Sequence, residues 1–143
     1  MNKQKRTQLR KELRELFRIF NFTFYEGKLK LKKLLFFNDN DYPRTKYSPK
    51  KCGGWYERDK KEIIIIIDDE EEEAIYRFFH EIAHLIYYQY YKKEDTNYPH
   101  NKTYDKILND LVEQYICITL QDYWNEIKWE NRIKDNFWNE ARN

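Results

Sequence analysis

Apolar residues recur along the chain at spacings of three and four, and this period predicts helices. Near the start, leucine and phenylalanine alternate with charged residues at that spacing, which predicts an amphipathic helix over roughly residues 4–21. A second stripe predicts a long helix from about Glu70 to Tyr91, and a third predicts a helix starting near Asn101 or Lys102. Residues 116–143 carry tryptophans among charged residues, and we expect them to form a helical extension that packs back on the domain.

Three short apolar runs between the first two helices predict strands. The runs are Leu34–Phe37, the segment led by Gly53 and Gly54, and Ile63–Ile67. Five consecutive isoleucines present apolar side chains to both faces of a sheet, so the last strand is predicted to be buried on both sides. Together the elements predict a single α+β domain over residues 1–143: an N-terminal helix, a sheet of three or so strands, a long central helix and C-terminal helices.

Polar residues mark the ends of these elements. Gly27 predicts a turn after the first helix, and residues 38–49, rich in Asn, Asp and Pro, predict a loop. Asp68 and Asp69 are predicted to cap the long helix, and the glutamates that follow place negative charge at its N-terminus, where the helix dipole favours it. We interpret this acidic run as helix capping rather than as a calcium site.

The predicted long helix carries two histidines and a glutamate in an H-E-x-x-H arrangement, at His80, Glu81 and His84. Residues four positions apart lie on one face of a helix, so both imidazoles can point at one metal ion. Two imidazoles at this spacing suit Zn²⁺, and a carboxylate beside them can take the proton of an attacking water. The pattern therefore predicts a zinc cofactor, two ligands and Glu81 as a catalytic base for peptide hydrolysis.

A third zinc ligand must come from another part of the chain. The protein has three histidines, and the third, His100, follows His84 by sixteen residues. His100 is the first candidate, because imidazole is a common zinc ligand. Glu113, on the helix predicted to follow, lies 29 residues after His84 and stays open as the alternative.

Composition restricts the class of protein. A chain of 143 residues, 41% hydrophobic and 18% aromatic, is long enough for one domain with a substantial core. It has no apolar run long enough for a membrane span and no apolar core of a signal peptide near its start, so we expect an intracellular protein with no membrane partner. A nuclear or viral setting stays open. Cys52 and Cys117 form neither a disulfide framework nor a C-x-x-C pair.

Charge is distributed unevenly along the chain. Residues 1–51 hold 15 Lys and Arg against 5 Asp and Glu, a net charge of +10, while the whole chain is only +2. One interpretation is a basic surface that binds DNA through Arg10, Arg14 and Arg18 on the first helix. The other is a solvated helix face and a lysine-rich turn, which needs no partner.

Four segments, taken in order, resemble the SprT-like zinc metallopeptidase family over roughly residues 10–115. They are Leu16–Asn21 continued by Tyr25–Leu29, Cys52–Tyr56 followed by Ile63–Ile67, His80–His84, and His100–Tyr104. Asn101 stands where the family usually has glycine, and Tyr104 stands where it usually has phenylalanine. The zinc ribbon that follows the catalytic domain in some members is absent from this sequence.

The resemblance implies a zinc-dependent protease with His100 as third ligand, acting in some members on proteins bound or crosslinked to DNA. Two other classes stay open. The ImmA/IrrE-like regulatory peptidases take a downstream glutamate as ligand, a role that Glu113 would fill. The chain would otherwise be a non-catalytic zinc-containing module that binds nucleic acid or a protein, although a carboxylate beside the two histidines favours catalysis.

An extended peptide substrate is expected to add to the edge of the sheet beside the long helix that carries His80 and His84. We expect Gly53–Tyr56 to form that edge, with Trp55 or Tyr56 lining the cleft; alternatively the glycines make a turn and the aromatic rings fill the core. Tyr87, Tyr98 and Tyr104 are the candidates to stabilise an oxyanion, and the sequence does not choose among them.

Overall fold

The computed structural model describes residues 1–38, 53–68, 70–91 and 101–119, and it has the predicted α+β fold. In chain order the elements are α1 (Lys3–Tyr25), β1 (Lys33–Asn38), β2 (Gly54–Glu57), β3 (Glu62–Ile67), α2 (Glu71–Tyr91) and α3, described over 102–119. The chain forms two compact units, residues 1–109 and 110–143. The sheet, α1, α2 and the first part of α3 belong to the first unit. A single domain over residues 1–143 stays a prediction.

Helix α1 is longer than its apolar stripe predicts because nothing stops it before Glu26. Asn2 caps its start, its side-chain oxygen accepting the Lys5 N–H at 2.8 Å. At its end, Glu26 and Gly27 both have positive φ angles, and their N–H groups both bond to the Asn21 carbonyl. The Asn21 side chain then holds the N–H and C=O of Leu29, at 2.8 and 3.1 Å. These bonds fix the turn predicted at Gly27.

Over the described residues the sheet has three strands, in the order β1-β3-β2. Strand β1 runs parallel to β3, and β2 is antiparallel to it, joined through a short turn. The isoleucines of β3 are at most 2% exposed, which confirms a central strand buried on both faces. One face packs Ile64 and Ile66 against Leu35, Phe37 and Trp55.

Helix α2 packs against β3, β2 and α1. It starts at Glu71, and the Glu70 carbonyl accepts the Ala74 N–H, which places Glu70 at the N-cap. The Asp68 carboxylate accepts the Glu70 N–H at 3.2 Å, a bond that precedes the helix, so Asp68 is not the N-cap that the sequence predicts. Asp69 lies outside the described residues. Phe78, Phe79 and Ile82 are among the buried residues of its inner face, and the ring of Phe79 meets that of Phe20 on α1 edge-on at 5.8 Å.

Two arginines of α1 hold that helix to β1. The guanidinium of Arg14 lies 4.8 Å from the centre of the Phe36 ring and donates to the Leu34 carbonyl at 3.3 Å. Arg10 donates to the Asn38 side chain at 3.1 Å. Within the described residues, no helix is long and apolar enough to cross a bilayer.

Candidate metal centre

His80 and His84 lie one turn apart on α2, on the same face. Their ring centres are 5.0 Å apart and the ring planes are inclined at 76°. Both side chains are half-buried. Helical spacing alone brings them together, which is why the sequence could predict the pair.

Tyr104, from the first turn of α3, packs against both imidazoles. Its ring centre is 4.6 Å from that of His84 and 5.6 Å from that of His80. Its hydroxyl donates to the His80 carbonyl oxygen at 2.9 Å. Only 2% of this residue is exposed, and burial raises the pKa of the phenol, which keeps it a hydrogen-bond donor. Tyr104 therefore positions the histidine pair.

Asn101 ties the start of α3 to α2 with both ends of its amide. Its side-chain oxygen accepts the Tyr104 N–H at 2.9 Å, which caps α3, and its nitrogen donates to the Tyr87 hydroxyl at 2.8 Å. His100, the preceding residue, lies outside the described residues, as does Tyr98. Glu113 is exposed and belongs to the other compact unit.

Glu81 is a buried carboxylate. It is only 6% exposed, and no hydrogen bond or ion pair with a described residue supports it. Burial raises the pKa of Glu81 to about 8, because an unpaired charge is poorly solvated there. A buried acid without a partner costs stability, and such groups are concentrated at functional sites.

Glu81 and His80 line an open cleft of about 570 Å³, here called the metal cleft. Its other wall is the start of the edge strand, Gly53 and Gly54, and its rim holds Tyr76, Arg77 and glutamates of the first turn of α2. A Cβ on Gly54 would lie 3.0 Å from the Glu81 Cγ and 3.1 Å from a backbone oxygen of β3, while one on Gly53 would overlap Arg77. The cleft depends on both positions lacking a side chain.

The aromatic residues of β2 lie elsewhere, so the expectation that Trp55 or Tyr56 lines the cleft is wrong. Side chains alternate along a strand. Trp55 points to the opposite face, against Ile64 and Ile66. Tyr56 shares the face of Gly54 but lies two residues further along, where its ring meets Tyr88 at 6.4 Å. Gly54 begins the strand, and Gly53 immediately precedes it.

Arg77 holds the rim of the metal cleft. Its guanidinium donates to the Ile66 carbonyl at 2.9 Å and pairs with Asp68 at 3.0 Å and Glu73 at 3.2 Å. Burial alone would raise the pKa of Asp68, but the Glu70 N–H and the Arg77 charge outweigh it and lower that pKa. The arginine thus joins the end of β3 to the start of α2.

The donor set suits two of the four positions of a zinc site. Imidazole nitrogens are standard zinc ligands, and the carboxylate beside them stands where a proton acceptor is needed. Among the described residues, no group of three or more His, Cys, Asp or Glu could hold a metal ion. The candidate third ligand, His100, is not among those residues.

Comparisons with protein-family models, with curated proteins and with solved structures found no match. The resemblance to SprT-like metallopeptidases therefore stays a prediction, and the functional argument starts from the site itself.

Proposed function

We propose that this protein is a zinc-dependent peptidase. The observation that carries the proposal is Glu81: a buried carboxylate without a partner among the described residues, next to a histidine pair, in a cleft beside an edge strand. Nothing in the described fold requires an acid there, whereas hydrolysis of a peptide bond requires a base. A structural zinc site would need no such group.

In this proposal His80 and His84 supply two ligands and His100 the third. The position of Asn101 supports His100 as the third ligand. Asn101 directly follows His100 in the chain, and its side chain donates a hydrogen bond to Tyr87 on α2, the helix that carries His80 and His84. Zinc would supply Lewis-acid chemistry, polarising the scissile carbonyl and acidifying water. A metal charge beside Glu81 would favour its ionised form, and the carboxylate takes the proton of the attacking water and delivers it to the leaving amine.

The edge strand β2 would hold the substrate. In an antiparallel ladder, residues alternate between pairs that exchange hydrogen bonds and pairs that do not. The Ile66 N–H donates to the Gly53 carbonyl at 3.0 Å, so Gly53 and Ile66 form a hydrogen-bonded pair. The next pair, Gly54 and Ile65, is therefore of the kind that does not exchange hydrogen bonds. The N–H and C=O of Gly54 and Tyr56 consequently point away from β3, towards an added strand. A peptide paired with them would pass Glu81 at the level of Gly54.

The experiment measures zinc content and proteolysis separately. Wild type and the variants His84→Ala, His100→Ala and Glu113→Ala are purified and analysed for metal; Glu81→Gln is assayed with unfolded proteins and DNA-bound proteins as substrates. We expect zinc to be lost from the two histidine variants and kept by Glu113→Ala. We expect Glu81→Gln to keep zinc and to lose at least a hundredfold in activity, as removal of a general base does.

Two results would contradict parts of this proposal. Zinc that is retained by His100→Ala and lost from Glu113→Ala would move the third ligand to Glu113. Zinc-loaded wild type without Glu81-dependent proteolysis on any substrate would leave a binding module rather than an enzyme.

A further inference from the structure

A second cleft lies beyond the metal cleft, on the same face of the sheet. It encloses about 420 Å³ and is here called the basic cleft. Three cationic residues surround it, Lys30, Arg58 and Lys61; two tyrosine rings, Tyr56 and Tyr88, lie between them, with Leu85 and Gln89 of α2 behind. None of the described residues that line it is acidic.

The backbone around the basic cleft is fixed by hydrogen bonds. Gln89 accepts the Lys30 N–H at 2.9 Å and donates to the Lys28 carbonyl at 2.6 Å, so this connection is held to α2. The Lys61 carbonyl accepts the Lys32 N–H at 2.8 Å. The guanidinium of Arg58 lies 5.2 Å from the centre of the Tyr88 ring. The cations thus come from two segments, Lys30 from the connection before β1 and Arg58 and Lys61 from the turn between β2 and β3, and they converge on one space.

These cations are available to a ligand. None of Lys30, Arg58 and Lys61 forms an ion pair with any residue in the described part of the chain, although acidic residues are abundant there. Tyr56 is half-buried in the cleft floor, and this burial raises the pKa of its hydroxyl to about 12. A convergent cationic site with a partly buried aromatic floor suits an anionic group attached to an apolar stem.

Strand β2 connects the two clefts. Gly54 lines the metal cleft and Tyr56 lines the basic cleft, and two residues of a strand span roughly 6.7 Å. Both residues direct their outward backbone groups to the same edge. A peptide added there would place alternate side chains over the two clefts, because paired residues of neighbouring strands point to the same face.

The two clefts have opposite charge. Glu70, Glu72 and Glu73 stand on the rim of the metal cleft. Arg77, the one cationic residue in the described lining, already pairs with acidic residues. A peptide lying across both clefts would therefore meet negative charge on one side of Glu81 and positive charge on the other.

We propose that the basic cleft is a substrate subsite for an anionic side chain, carboxylate or phosphate, within two or three residues of the scissile bond. A cationic side chain is favoured on the other side of that bond. The inference rests on the proposed peptidase function and adds to it the substrate class: peptides whose charge changes sign across the cleavage site.

The test uses the full chain and a set of matched peptides. A neutral host peptide is compared with peptides that carry glutamate on one side of its cleavage site and lysine on the other, in both orders, and with the phosphoserine equivalents. Cleavage is measured as kcat/KM for wild type, and affinity is measured by fluorescence anisotropy with Glu81→Gln. The side that prefers the anion reports the direction of the bound strand.

The diagnostic variant is Lys30→Glu/Arg58→Glu/Lys61→Glu, and its control is Lys3→Glu/Lys11→Glu/Lys106→Glu, which makes the same charge change away from both clefts. We expect wild type to favour one order of the two charges about tenfold at low salt, since three exposed cations contribute about twofold each. The diagnostic variant should reverse the preference, and the control should keep it. Thermal melting identifies a folding defect, in which case Lys30→Gln/Lys61→Gln replaces the triple variant.

The outcomes separate the subsite from the peptidase. Cleavage of all peptides within twofold of one another, in wild type and variants alike, overturns the subsite and leaves the peptidase. Charge-ordered binding to Glu81→Gln that the diagnostic variant reverses, without any cleavage, keeps the subsite and overturns the peptidase. Loss of single-stranded DNA binding in the diagnostic variant, with unchanged peptide preference, assigns the cleft to nucleic acid and overturns the subsite.

Discussion

Gly54 shows how much the site depends on a side chain that is absent. Its position beside Glu81 and the backbone of β3 leaves no room for a Cβ atom without movement of the carboxylate or the strand. Gly27, at the end of α1, is glycine for a different reason: its φ is +74° and no atom lies within 4 Å of a Cβ built there. Substitution of Gly54 therefore tests steric crowding, and substitution of Gly27 tests backbone conformation.

We expect Gly54→Ala to reduce peptidase activity at least tenfold while zinc content is unchanged, since the new methyl group displaces Glu81 rather than a ligand. Gly27→Ala should cost about 1 kcal/mol of folding free energy through backbone strain and leave kcat unchanged. Denaturant unfolding and kcat/KM measured on both variants check this. Full activity in Gly54→Ala would show that the Glu81 carboxylate does not act from this position.

At the scale of elements, the start of α3 links secondary structure to the histidine pair. Asn101 both caps α3 and bonds to Tyr87 on α2, whereas Asn2 only caps α1. We expect Asn2→Ala to lower stability by about 1 kcal/mol and to leave zinc affinity unchanged. Asn101→Ala should lower stability by about 2 kcal/mol, because it loses a cap and a tertiary hydrogen bond, and should weaken zinc binding.

Asn101→Ser isolates the two contributions. Serine keeps the capping oxygen but is too short to bridge to Tyr87, so stability should recover partly while zinc affinity stays reduced. Zinc titration with a competing chelator measures the affinity. Equal zinc binding by wild type, Asn101→Ser and Asn101→Ala would remove the link between this cap and the metal centre.

The junction of β3 and α2 gives a pH-dependent prediction. The folded state lowers the pKa of Asp68, so its contribution is present above the usual aspartate pKa of about 4 and is lost as pH falls through the lowered value. We expect Arg77→Gln to cost about 1 kcal/mol at every pH, from the unsatisfied Ile66 carbonyl, plus a smaller part that disappears in acid.

Unfolding of wild type and Arg77→Gln from pH 2 to pH 7 measures both parts. Arg18→Gln is the control, because its partner Glu15 also has a lowered pKa but the pair is fully exposed and screened by solvent. We expect no measurable change in its stability. A pH-independent difference between wild type and Arg77→Gln would show that Asp68 does not depend on this arginine.

Local pattern predicts elements well here and tertiary placement poorly. The bounds of α2 and β3 follow from the apolar period and from the acidic residues at the start of α2, and the histidine pair follows from helical spacing. The faces of β2 could not be assigned, because Gly-Trp-Tyr-Glu lacks the polar and apolar alternation that separates inside from outside. Tyr104 could not be chosen from the three candidate tyrosines, because its contacts with the histidines bring together residues 20 to 24 positions apart.

At the scale of the molecule, basic residues in the first third of the chain make contacts that hold the fold together, whether or not they also bind a partner. Arg10 and Arg14 hold α1 to β1 and Arg18 pairs with Glu15, so the three arginines expected to bind DNA all have intramolecular contacts. Their neutralisation would disturb folding and DNA binding together. Lys3 and Lys11 are exposed and line neither cleft, which makes them cleaner probes.

For a DNA partner, we expect affinity to fall steeply with salt and to weaken in Lys3→Gln/Lys11→Gln without a change in melting temperature. Arg10→Gln/Arg14→Gln should lower the melting temperature, since two contacts between α1 and β1 are lost. Fluorescence anisotropy with duplex and single-stranded DNA at several salt concentrations measures the affinity, and thermal unfolding measures the melting temperature. Binding that is absent, or insensitive to salt, would remove DNA as a partner through this surface.

The shortness of β2 has a consequence for how fast the protein would release what it cuts. Four residues offer only Gly54 and Tyr56 as outward pairing positions, hence at most four new backbone hydrogen bonds, each contributing about 1 kcal/mol in water. So brief a ladder is too weak to retain a cleaved fragment or to template stacking of further copies. Rapid release of the product would then depend on the short length of β2, and most of the affinity for a peptide would come from its side chains.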